Sequence, residues 1–336
     1  MKPKEINERP ECHTPAGLRP ETLETFRGQT EVKHRVGISL KAAKSRMEPL
    51  PHLLLAGPPG LGKTTLAQIV AAEMGAKIHI TSGPSLEKPA DLAGTLVKLE
   101  PGDVLFIDEI HRISPQLEEF LYPAMEDRKL DILIENGTKT QSMRIDLEPF
   151  TLVGATTKPG NLTAPLRGRF QTIHRLELYG VRDLAEIVLQ SADKLKVSLD
   201  ADAAEEIARR SRGTPRTANN NLLWARDFAR AELDTDRITG KIARAALEEI
   251  GIATDGLDDT DRKILRALCE TFHGGPVGLS SLGVAAGEDP ASIEDIHEPY
   301  LIAQGYVQRT SQGRVALEKA RSMHPNMQKE AQGAFL

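Results

Sequence analysis

The spacing of apolar residues divides the chain into stretches of different structural character. From Pro51 to Tyr179, short apolar runs alternate with stretches of helix length, which is typical of a parallel sheet covered by helices. From Val181 to about Ile252, apolar residues recur three and four positions apart, as they do in amphipathic helices. The pattern therefore predicts an α/β domain followed by a small helical domain.

Five strands and one hairpin are predicted in the α/β stretch. The strands have the sequences HLLLAG, KIHITSG, DVLFIDE, FTLVGATT and HRLELY. An Asn-Gly pair at Asn136 and Gly137 lies between alternating apolar and polar residues, just before the fourth of these strands. This pair is the strongest short-range signal for a β-hairpin, so we predict one over residues 129–147.

A third pattern begins near Gly256 and ends in a β-ribbon. Asp258 or Asp259 can cap a first helix, and Asp289 followed by Pro290 is a strong start for a later one. A short helix lies between them, and two short strands flank the sequence TSQG. Helix, short helix, longer helix and ribbon is the order of a winged helix-turn-helix.

Length and hydropathy fit this division of the chain. A chain of 336 residues suits two or three domains. We predict a flexible N-terminal segment at 1–17, the α/β domain at 18–180, the helical domain at 181–254, the winged helix at 255–320 and a C-terminal tail at 321–336. No apolar run approaches the roughly 18 residues of a membrane helix, and the N-terminus lacks the apolar centre of a signal peptide, so we expect a cytoplasmic protein.

Charge and cysteine usage limit the remaining possibilities. The formal net charge of −5 argues against a surface that is basic throughout, so any contact with DNA must be local. The two cysteines, Cys12 and Cys269, have neither a CxxC spacing nor a histidine at metal-ligand spacing. We expect plain thiols rather than a disulfide or zinc ligands.

The most specific motif is a phosphate-binding loop. The sequence LLLAGPPGLGKTTL places G-x-x-x-x-G-K-[ST] directly after an apolar strand and before a helix. Its glycines let backbone N–H groups approach phosphates, Lys63 brings positive charge to the outer phosphates, and the Thr64 hydroxyl can ligate Mg²⁺. The alternative, a glycine-rich turn with an exposed lysine, is much less consistent with this context.

Candidate hydrolytic residues follow at the ends of two other strands. In DVLFIDEIH, Asp108 can hold Mg²⁺ through its water shell, and Glu109 can polarise the attacking water. Thr157, in GATTK, is placed to reach the γ-phosphate or that water. Adjacent carboxylates alone usually cap a helix or face solvent, but the apolar run before them and the phosphate loop upstream favour hydrolysis of a nucleotide.

Two arginines follow in the sequence APLRGRF. Arg167 and Arg169 lie there in a predicted short loop. Phosphoryl transfer is accelerated by an arginine supplied from a neighbouring subunit, and an arginine at this place would face out of its own subunit. A surface salt bridge is the plain alternative for either residue.

The motifs together resemble those of one protein family. The chain carries, in this order, GPPGLGKTT, VLFIDEIHR, YPAMED, GATT, PLRGRF and RSRGTPR. This series resembles AAA+ ATPases and, more narrowly, the RuvB family, the bacterial motors of Holliday-junction branch migration in recombination and DNA repair. The similarity runs from about Leu18 to Ala316, and ITSGPSLEKPADLAG, FLYPAMED and RSRGTPR are specific to that family.

The resemblance implies a fold, an activity and partners. The fold is an AAA+ phosphate-loop ATPase core with a parallel sheet, a small helical lid domain and a C-terminal winged helix. The activity is hydrolysis of ATP with Mg²⁺ by a homohexameric ring that moves duplex DNA. The partners are RuvA, which holds the junction, and RuvC, which cuts it.

Nucleotide contacts are also implied by the resemblance. The family's positions correspond here to Leu18, Arg19, Gly60, Lys63, Thr64, Thr65, Glu126, Asp127, Arg169, Tyr179 and Arg216. Leu18, Arg19 and Tyr179 would border the adenine and ribose. Glu126 and Asp127 would belong to the surface near the nucleotide.

Two arginines receive catalytic roles from the resemblance. Arg169 would be inserted into the neighbouring subunit's site, with Arg167 as the alternative. Arg216 would link the helical domain to the γ-phosphate. It follows Pro215 in the first turn of a predicted helix, where the helix dipole favours anions, so a cation there makes sense if it faces a triphosphate.

The hairpin at 129–147 would dock on a RuvA-like protein. Leu130, Ile132 and Ile134, or the side chains on the opposite face, would then form an apolar partner surface. The alternative is that these side chains fold back on the protein's own core. The sequence pattern supports both equally.

The winged-helix segment is more acidic than a reader of DNA bases should be. From Asp255 to the end there are eight Lys and Arg residues against twelve Asp and Glu residues. The helix DPASIEDIHEPY carries Glu294 and Asp295, which phosphates lining a major groove would repel. We therefore expect Arg309 and Arg314 of the wing to bind phosphates without reading sequence.

The sequence departs from the family pattern at four positions. Asn220, Leu223, Trp224 and Gln312 stand where the family often has arginine. Each lost phosphate contact reduces salt-sensitive affinity, so DNA binding is expected to be weaker than usual. Two alternatives remain: a clamp-loader or initiator type of AAA+ ATPase, and an AAA+ scaffold that hydrolyses slowly.

Overall fold

The computed structural model describes residues 16–136 and 139–324, apart from the side chains of residue 16 and of residues 132–142. The strands are β1 Leu53–Ala56, β2 Ile78–Ser82, β3 Val104–Asp108, β4 Lys129–Asn136, β5 Lys139–Asp146, β6 Thr151–Thr156, β7 Thr172–Arg175, β8 Ser198–Leu199, β9 Arg237–Ile238, β10 Val307–Thr310 and β11 Gly313–Ala316. Cys12, Gly137, most of the predicted N-terminal segment and the end of the predicted tail lie outside the described residues.

Helices account for most of the remaining residues. The α-helices are α1 Thr30–Arg46, α2 Lys63–Met74, α3 Pro89–Leu96, α4 Pro115–Glu126, α5 Ala164–Gly168, α6 Val181–Leu195, α7 Ala201–Arg209, α8 Pro215–Leu233, α9 Gly240–Glu249, α10 Asp259–Arg266, α11 Leu279–Ala286, α12 Pro290–Ser292, α13 Glu298–Ala303 and α14 Glu318–Ser322. Shorter turns lie at Ala16–Leu18, Gly83–Ser85, Ile110–Arg112, Pro159–Asn161, Ala267–Thr271 and Ile293–His297. None of the described helices is long and apolar enough to cross a membrane.

The central sheet is parallel, with the strand order β2-β3-β6-β1-β7. Every residue of β1 and β6 is buried, because helices cover both faces of the sheet. Strands β1, β3 and β6 are neighbours, so their carboxyl ends lie together at one edge. The residues that follow these three strands are the phosphate loop, Glu109 and Thr157.

The fifth strand differs from its prediction. The sequence pattern placed it at HRLELY, whereas β7 spans Thr172–Arg175. The Leu176 N–H still bonds the Ala56 carbonyl at 2.8 Å, but the chain then leaves the sheet. Three residues on, Tyr179 pairs with the lid instead, because its N–H donates to the Gly213 carbonyl at 2.8 Å.

Helices α6 to α9 form the predicted small helical domain. Thr214 caps α8, whose first residue is Pro215, as the sequence predicts. The asparagines in this helix are held by side-chain hydrogen bonds: the Ser191 hydroxyl donates to Asn219 at 2.7 Å, and the Asn221 amide donates to the Ser211 hydroxyl at 3.1 Å. These bonds offset the low helix propensity of asparagine, which is about 0.5 kcal/mol per residue relative to alanine.

The lid also contains a buried ion pair that the sequence pattern did not reveal. Arg210 is fully buried, and its Nη2 donates to Glu206 Oε1 at 2.6 Å. Its Nη1 donates to the Ile252 carbonyl at 2.9 Å. Arg209, one residue earlier, reaches the same carboxylate at 3.4 Å, but half of its side chain is exposed.

Removal of the buried arginine should destabilise the chain far more than removal of its exposed neighbour. Arg210→Ala leaves Glu206 buried, and breaking a buried pair in this way costs about 3 kcal/mol or more. Arg209→Ala removes an exposed pair, which is worth about 1 kcal/mol or less. Urea unfolding of both variants measures the difference. Equal losses would contradict a structural role for the buried pair.

Strands β4 and β5 form the predicted hairpin, paired antiparallel from Lys129 with Asp146 to Asn136 with Lys139. Leu130 follows the second of the two alternatives that the sequence left open: it is fully buried in the core cluster beneath the sheet and does not belong to a partner surface. It lies at the root of the hairpin, where the strand is still covered by α4. The side chains of Ile132 and Ile134 lie outside the described residues.

The C-terminal elements form the predicted winged helix around a separate apolar core. Asp258 caps α10 by accepting from the Asp261 N–H at 2.7 Å, and Asp289 caps α12 by accepting from the Ser292 N–H at 3.1 Å. Strands β10 and β11 pair antiparallel as the wing. The predicted caps and ribbon are therefore confirmed.

Ion pairs join the winged helix to the other elements. Arg212 of the lid donates to Asp258 at 2.6 Å and to Asp261 at 3.0 Å. Lys158, which directly follows Thr157, lies 2.9 Å from Asp295. Lys158, next to Thr157, and Arg212, in the turn before α8, thus both contact the winged helix.

Candidate nucleotide site

A cleft of about 1390 Å³ lies between the sheet's carboxyl edge and the helical lid. It brings together many of the residues that the sequence proposed for nucleotide binding: Leu18, Arg19, Gly60, Lys63, Thr64, Thr65, Asp108, Glu109, Tyr179 and Arg216. These residues come from the segment before α1, the phosphate loop and the start of α2, the end of β3, the segment after β7 and the lid. The cleft is therefore a composite of the two domains.

The phosphate loop needs glycine for steric reasons at two positions. Gly57 has a φ of 151°, and a Cβ there would lie 2.5 Å from the Leu176 carbonyl oxygen. Gly60 has a φ of 80°, and a Cβ there would lie 3.2 Å from the Cβ of Arg216. The Arg216 N–H also reaches the Gly60 carbonyl at 3.4 Å, so the loop and the start of α8 are in direct contact.

Lys63 is buried inside the loop that it follows. Its Nζ donates to the carbonyls of Gly57 at 2.8 Å and Pro58 at 2.9 Å. Burial lowers the pKa of Lys63 below its usual value, and the nearby Arg216 guanidinium lowers it further, against the opposing charges of Asp108 and Glu109. A buried ammonium of this kind is stabilised by phosphate oxygens.

Glu109 is held by Thr157, which follows the neighbouring strand β6, and by His111 in the turn after its own strand. Its Oε2 accepts from the Thr157 hydroxyl at 3.1 Å and lies 3.1 Å from His111 Nδ1. The backbone at Glu109 has a φ of 46°, a left-handed conformation that costs energy for a residue other than glycine. The Glu109 N–H donates to Asp108 Oδ1 at 3.0 Å, which joins the two carboxylate residues.

His111 is a site residue that the sequence argument missed. Its side chain is buried, and Nδ1 lies 3.0 Å from the Thr156 hydroxyl as well as near Glu109. Burial is the main reason that the pKa of His111 is lowered, so the imidazole is favoured in its neutral form. The string DEIH contained the signal, since a histidine two residues after a glutamate in a tight turn can fold back onto it.

Tyr179 and Arg19 connect the cleft to the lid. The buried Tyr179 hydroxyl donates to the Leu61 carbonyl at 3.2 Å, and burial raises the pKa of this phenol. Arg19 donates to Gln68 at 3.3 Å, and Lys194 of α6 donates to the Arg19 carbonyl at 2.7 Å. Arg19 and Tyr179 are therefore both bonded to the lid at the edge of the cleft.

Glu126, Asp127 and Arg169 lie outside the cleft of their own chain. Arg169 follows α5, a short helix where the sequence predicted a loop. Its Nη2 donates to Glu126 Oε2 at 3.1 Å, and its Nη1 donates to the Pro165 carbonyl at 2.9 Å. Any role of these residues at a nucleotide therefore requires a neighbouring subunit.

The two wing arginines have different environments. Arg309 is more than half exposed, and its Nη2 donates to Glu294 at 2.7 Å. Arg314 is buried and donates twice to the buried Glu298, at 3.1 and 2.9 Å. The prediction that Arg314 is a free phosphate contact is wrong, because its guanidinium is used inside the winged-helix core.

The geometry defines the class of this protein. A phosphate loop follows β1, an Asp-Glu pair ends β3, a polar threonine follows β6 between them, and a helical lid supplies an arginine across the cleft. This arrangement defines an AAA+ ATPase.

Family models then match nearly the whole chain. They describe the P-loop domain of the Holliday junction DNA helicase RuvB over residues 18–176, the RuvB AAA lid domain over 179–253 and the RuvB C-terminal winged helix domain over 254–323. The chain therefore belongs to the RuvB family of Holliday-junction branch-migration motors, which are DNA-binding ATPases of recombination and repair.

Solved structures agree with this assignment. The RuvB Holliday-junction branch-migration motor of Thermotoga maritima is 46% identical to this chain with a TM-score of 0.84, and the match covers 92% of this chain and 98% of that one. A point mutant of the same protein gives a TM-score of 0.85 at 46% identity over the same shares. The sequence-based fold class, activity and family are confirmed.

Proposed function

We propose that this cleft binds ATP with Mg²⁺ and that a ring of six such chains converts its hydrolysis into movement of duplex DNA at four-way junctions. Leu18, Arg19 and Tyr179 would border the adenine and ribose. Thr64 and Asp108 would hold the metal, whose chemistry is to neutralise charge on the phosphates. The buried Lys63, which lies beside these two residues, fits a triphosphate because its charge is otherwise poorly solvated.

Glu109 would polarise the attacking water, and its neighbours would set its direction. Thr157 and the neutral His111 both contact Oε2, which leaves Oε1 as the oxygen to accept a proton from water. Arg216, across the cleft on the lid, would reach the γ-phosphate. Closure of the lid would then depend on the state of the nucleotide.

Arg169 carries the argument for a ring. The other proposed catalytic groups lie in or beside the cleft, whereas Arg169 lies outside it with Glu126 and Asp127. An arginine supplied in trans accelerates phosphoryl transfer by about 10³-fold or more. A homohexamer in which Arg169 enters the next subunit's cleft completes each site, and the exposed Arg167 is the alternative.

Arg309 would be the wing residue that contacts the DNA backbone without reading sequence. We predict that Arg309→Gln weakens duplex binding and reduces the slope of log affinity against log salt by about 0.9, the value for one lost phosphate contact. Arg314→Gln should instead lower the melting temperature, because it leaves Glu298 buried without its partner. A salt titration and a thermal melt of both variants test the distinction. An unchanged melting temperature with a reduced slope for Arg314→Gln would contradict it.

The hairpin and the DNA substrate both suggest partner proteins. The 129–147 hairpin would dock on a RuvA-like junction-binding protein, with Met143 exposed on β5 as one apolar contact. A RuvC-like resolvase would act on the same junction. Because the substrate would be DNA, the protein would act in the cytoplasm of a bacterial cell.

Turnover of ATP with and without duplex DNA separates a translocating motor from the two alternatives, a slowly hydrolysing scaffold and a clamp-loader type of ATPase. A translocating motor should hydrolyse faster with duplex DNA, because movement and hydrolysis are coupled. Very slow turnover that duplex DNA does not stimulate would favour the slowly hydrolysing scaffold and would contradict the proposed motor. Stimulation by DNA combined with failure to move a junction would favour the clamp-loader type.

A further inference from the structure

The guanidinium of Arg169 lies on the face of an aromatic ring. Its Cζ is 4.0 Å from the ring centroid of Tyr122, a residue of α4. A cation over an aromatic face within about 6 Å is attracted by the ring's quadrupole. Tyr122 therefore contacts the guanidinium from one side, while Glu126 and the Pro165 carbonyl bind its two Nη atoms.

One donor of this guanidinium is unused. Arg169 Nε is buried and makes no hydrogen bond within the described part of the chain. A buried donor without an acceptor costs free energy, and the Tyr122 ring, Glu126 and the Pro165 carbonyl hold the guanidinium here despite that cost. The cost is understandable if the guanidinium is kept here in a fixed direction for another purpose.

Tyr122 is itself held by a buried carboxylate. Its hydroxyl donates to Glu118 Oε2 at 2.9 Å, and the Thr163 hydroxyl donates to the same oxygen. Glu118 is buried, and Thr163 also caps α5 by accepting from the Leu166 N–H at 3.3 Å. The cluster of Glu118, Tyr122 and Thr163 therefore links α4 to the start of α5, the short helix that directly precedes Arg169.

We propose that Tyr122, fixed by Glu118 and Thr163, is a positioning residue that holds Arg169 in the direction from which it enters the neighbouring subunit's nucleotide site. This inference rests on the proposed trans role of Arg169. Phosphate would replace Glu126 as the partner of Nη2, while the ring contact is kept throughout. Loss of the ring would leave a flexible arginine whose charge is rarely in place.

The variants separate the ring from the hydroxyl. Tyr122→Leu removes the aromatic face, and Tyr122→Phe keeps it but removes the bond to Glu118. DNA-stimulated ATP turnover should fall roughly tenfold in kcat for Tyr122→Leu with KM for ATP unchanged, and less than about threefold for Tyr122→Phe. Phe120→Leu, which removes an aromatic ring from the same helix, is the matched control and should keep its kcat.

A double-mutant cycle tests whether Tyr122 acts through Arg169. In single-turnover measurements, Tyr122→Leu should lower the rate of the intact protein but leave the already slow Arg169→Ala variant unchanged. A merely structural role would lower the rate in both backgrounds, and that result would overturn the inference. If Tyr122→Leu does not fold, the cycle is run with Glu118→Gln. This variant should lower the rate by a smaller factor, and only in the protein that retains Arg169.

The same measurements separate the trans role of Arg169 from the positioning role of Tyr122. If Arg169→Ala retains full turnover, the proposed trans role of Arg169 fails. If Arg169→Ala is slow while Tyr122→Leu turns over at the normal rate, or if the two effects multiply, the trans role stands and the positioning role of Tyr122 is wrong.

Discussion

Glu109→Gln is expected to bind ATP with unchanged affinity and to hydrolyse it about 10²–10⁴-fold more slowly, the usual contribution of a positioned general base. The amide keeps the size of the side chain, and its oxygen can still accept the Thr157 hydroxyl bond that now measures 3.1 Å. It cannot accept a proton from water. The loss should therefore appear in kcat alone.

The measurement is ATP turnover with duplex DNA, combined with a binding titration under the same conditions. Glu100→Gln is a suitable control, because Glu100 is an exposed carboxylate paired with Lys77 ahead of β3. It should hydrolyse at the normal rate. Appreciable turnover by Glu109→Gln would remove Glu109 from the proposed role.

Lys63→Met should abolish most of the affinity for ATP without destabilising the nucleotide-free chain. Burial lowers the pKa of Lys63, which means that the folded chain disfavours the charged lysine. Without nucleotide, stability therefore increases as pH rises through the lowered pKa, and methionine removes this cost at every pH. The lost ammonium–phosphate contact weakens binding by about 100-fold, or about 3 kcal/mol.

Thermal melts of Lys63→Met with and without ATP and Mg²⁺ check both parts of this prediction. A ligand that binds only the folded state raises the melting temperature, so the increase seen with the unchanged protein should nearly disappear. Lys77→Met, which changes an exposed lysine, should retain the full increase. A large fall in the melting temperature without nucleotide would contradict the argument from burial.

Local sequence signals were enough for the phosphate loop and the helix starts. The loop is recognisable because glycine spacing and the flanking strand and helix act within a few residues of each other. The predicted caps Asp258 and Asp289 also depend on bonds to residues three positions away. Such features leave a mark in a short window of sequence.

Features that depend on distant partners could not be predicted in this way. The burial of Arg314, on strand β11, depends on Glu298 of helix α13, and nothing near Arg314 in the sequence reveals this pair. The end of β7 is set by the contact of Tyr179 with Gly213 in the lid. The contact of Arg169 with Tyr122 joins α4 to the residue after α5, two parts of the chain that the hairpin separates in the sequence.

The departures from the family pattern now have partly structural explanations. Trp224 is about one-third exposed, and its Nε1 donates to the Ala246 carbonyl at 2.6 Å, so it ties α8 to α9. Asn220 lies between two asparagines that bond within the lid. Gln312 is exposed at the tip of the wing, where an arginine would reach phosphate. Reduced DNA affinity through Gln312 and Asn220 stays a prediction.

Branch migration of a synthetic four-way junction tests the central claim most directly. The assay contains the full chain, a RuvA-like partner, ATP and Mg²⁺, and the separated duplex products are measured over time. The account predicts ATP-dependent migration that stops with Glu109→Gln and with Arg169→Ala. Robust DNA-stimulated hydrolysis of ATP without any movement of the junction would contradict it.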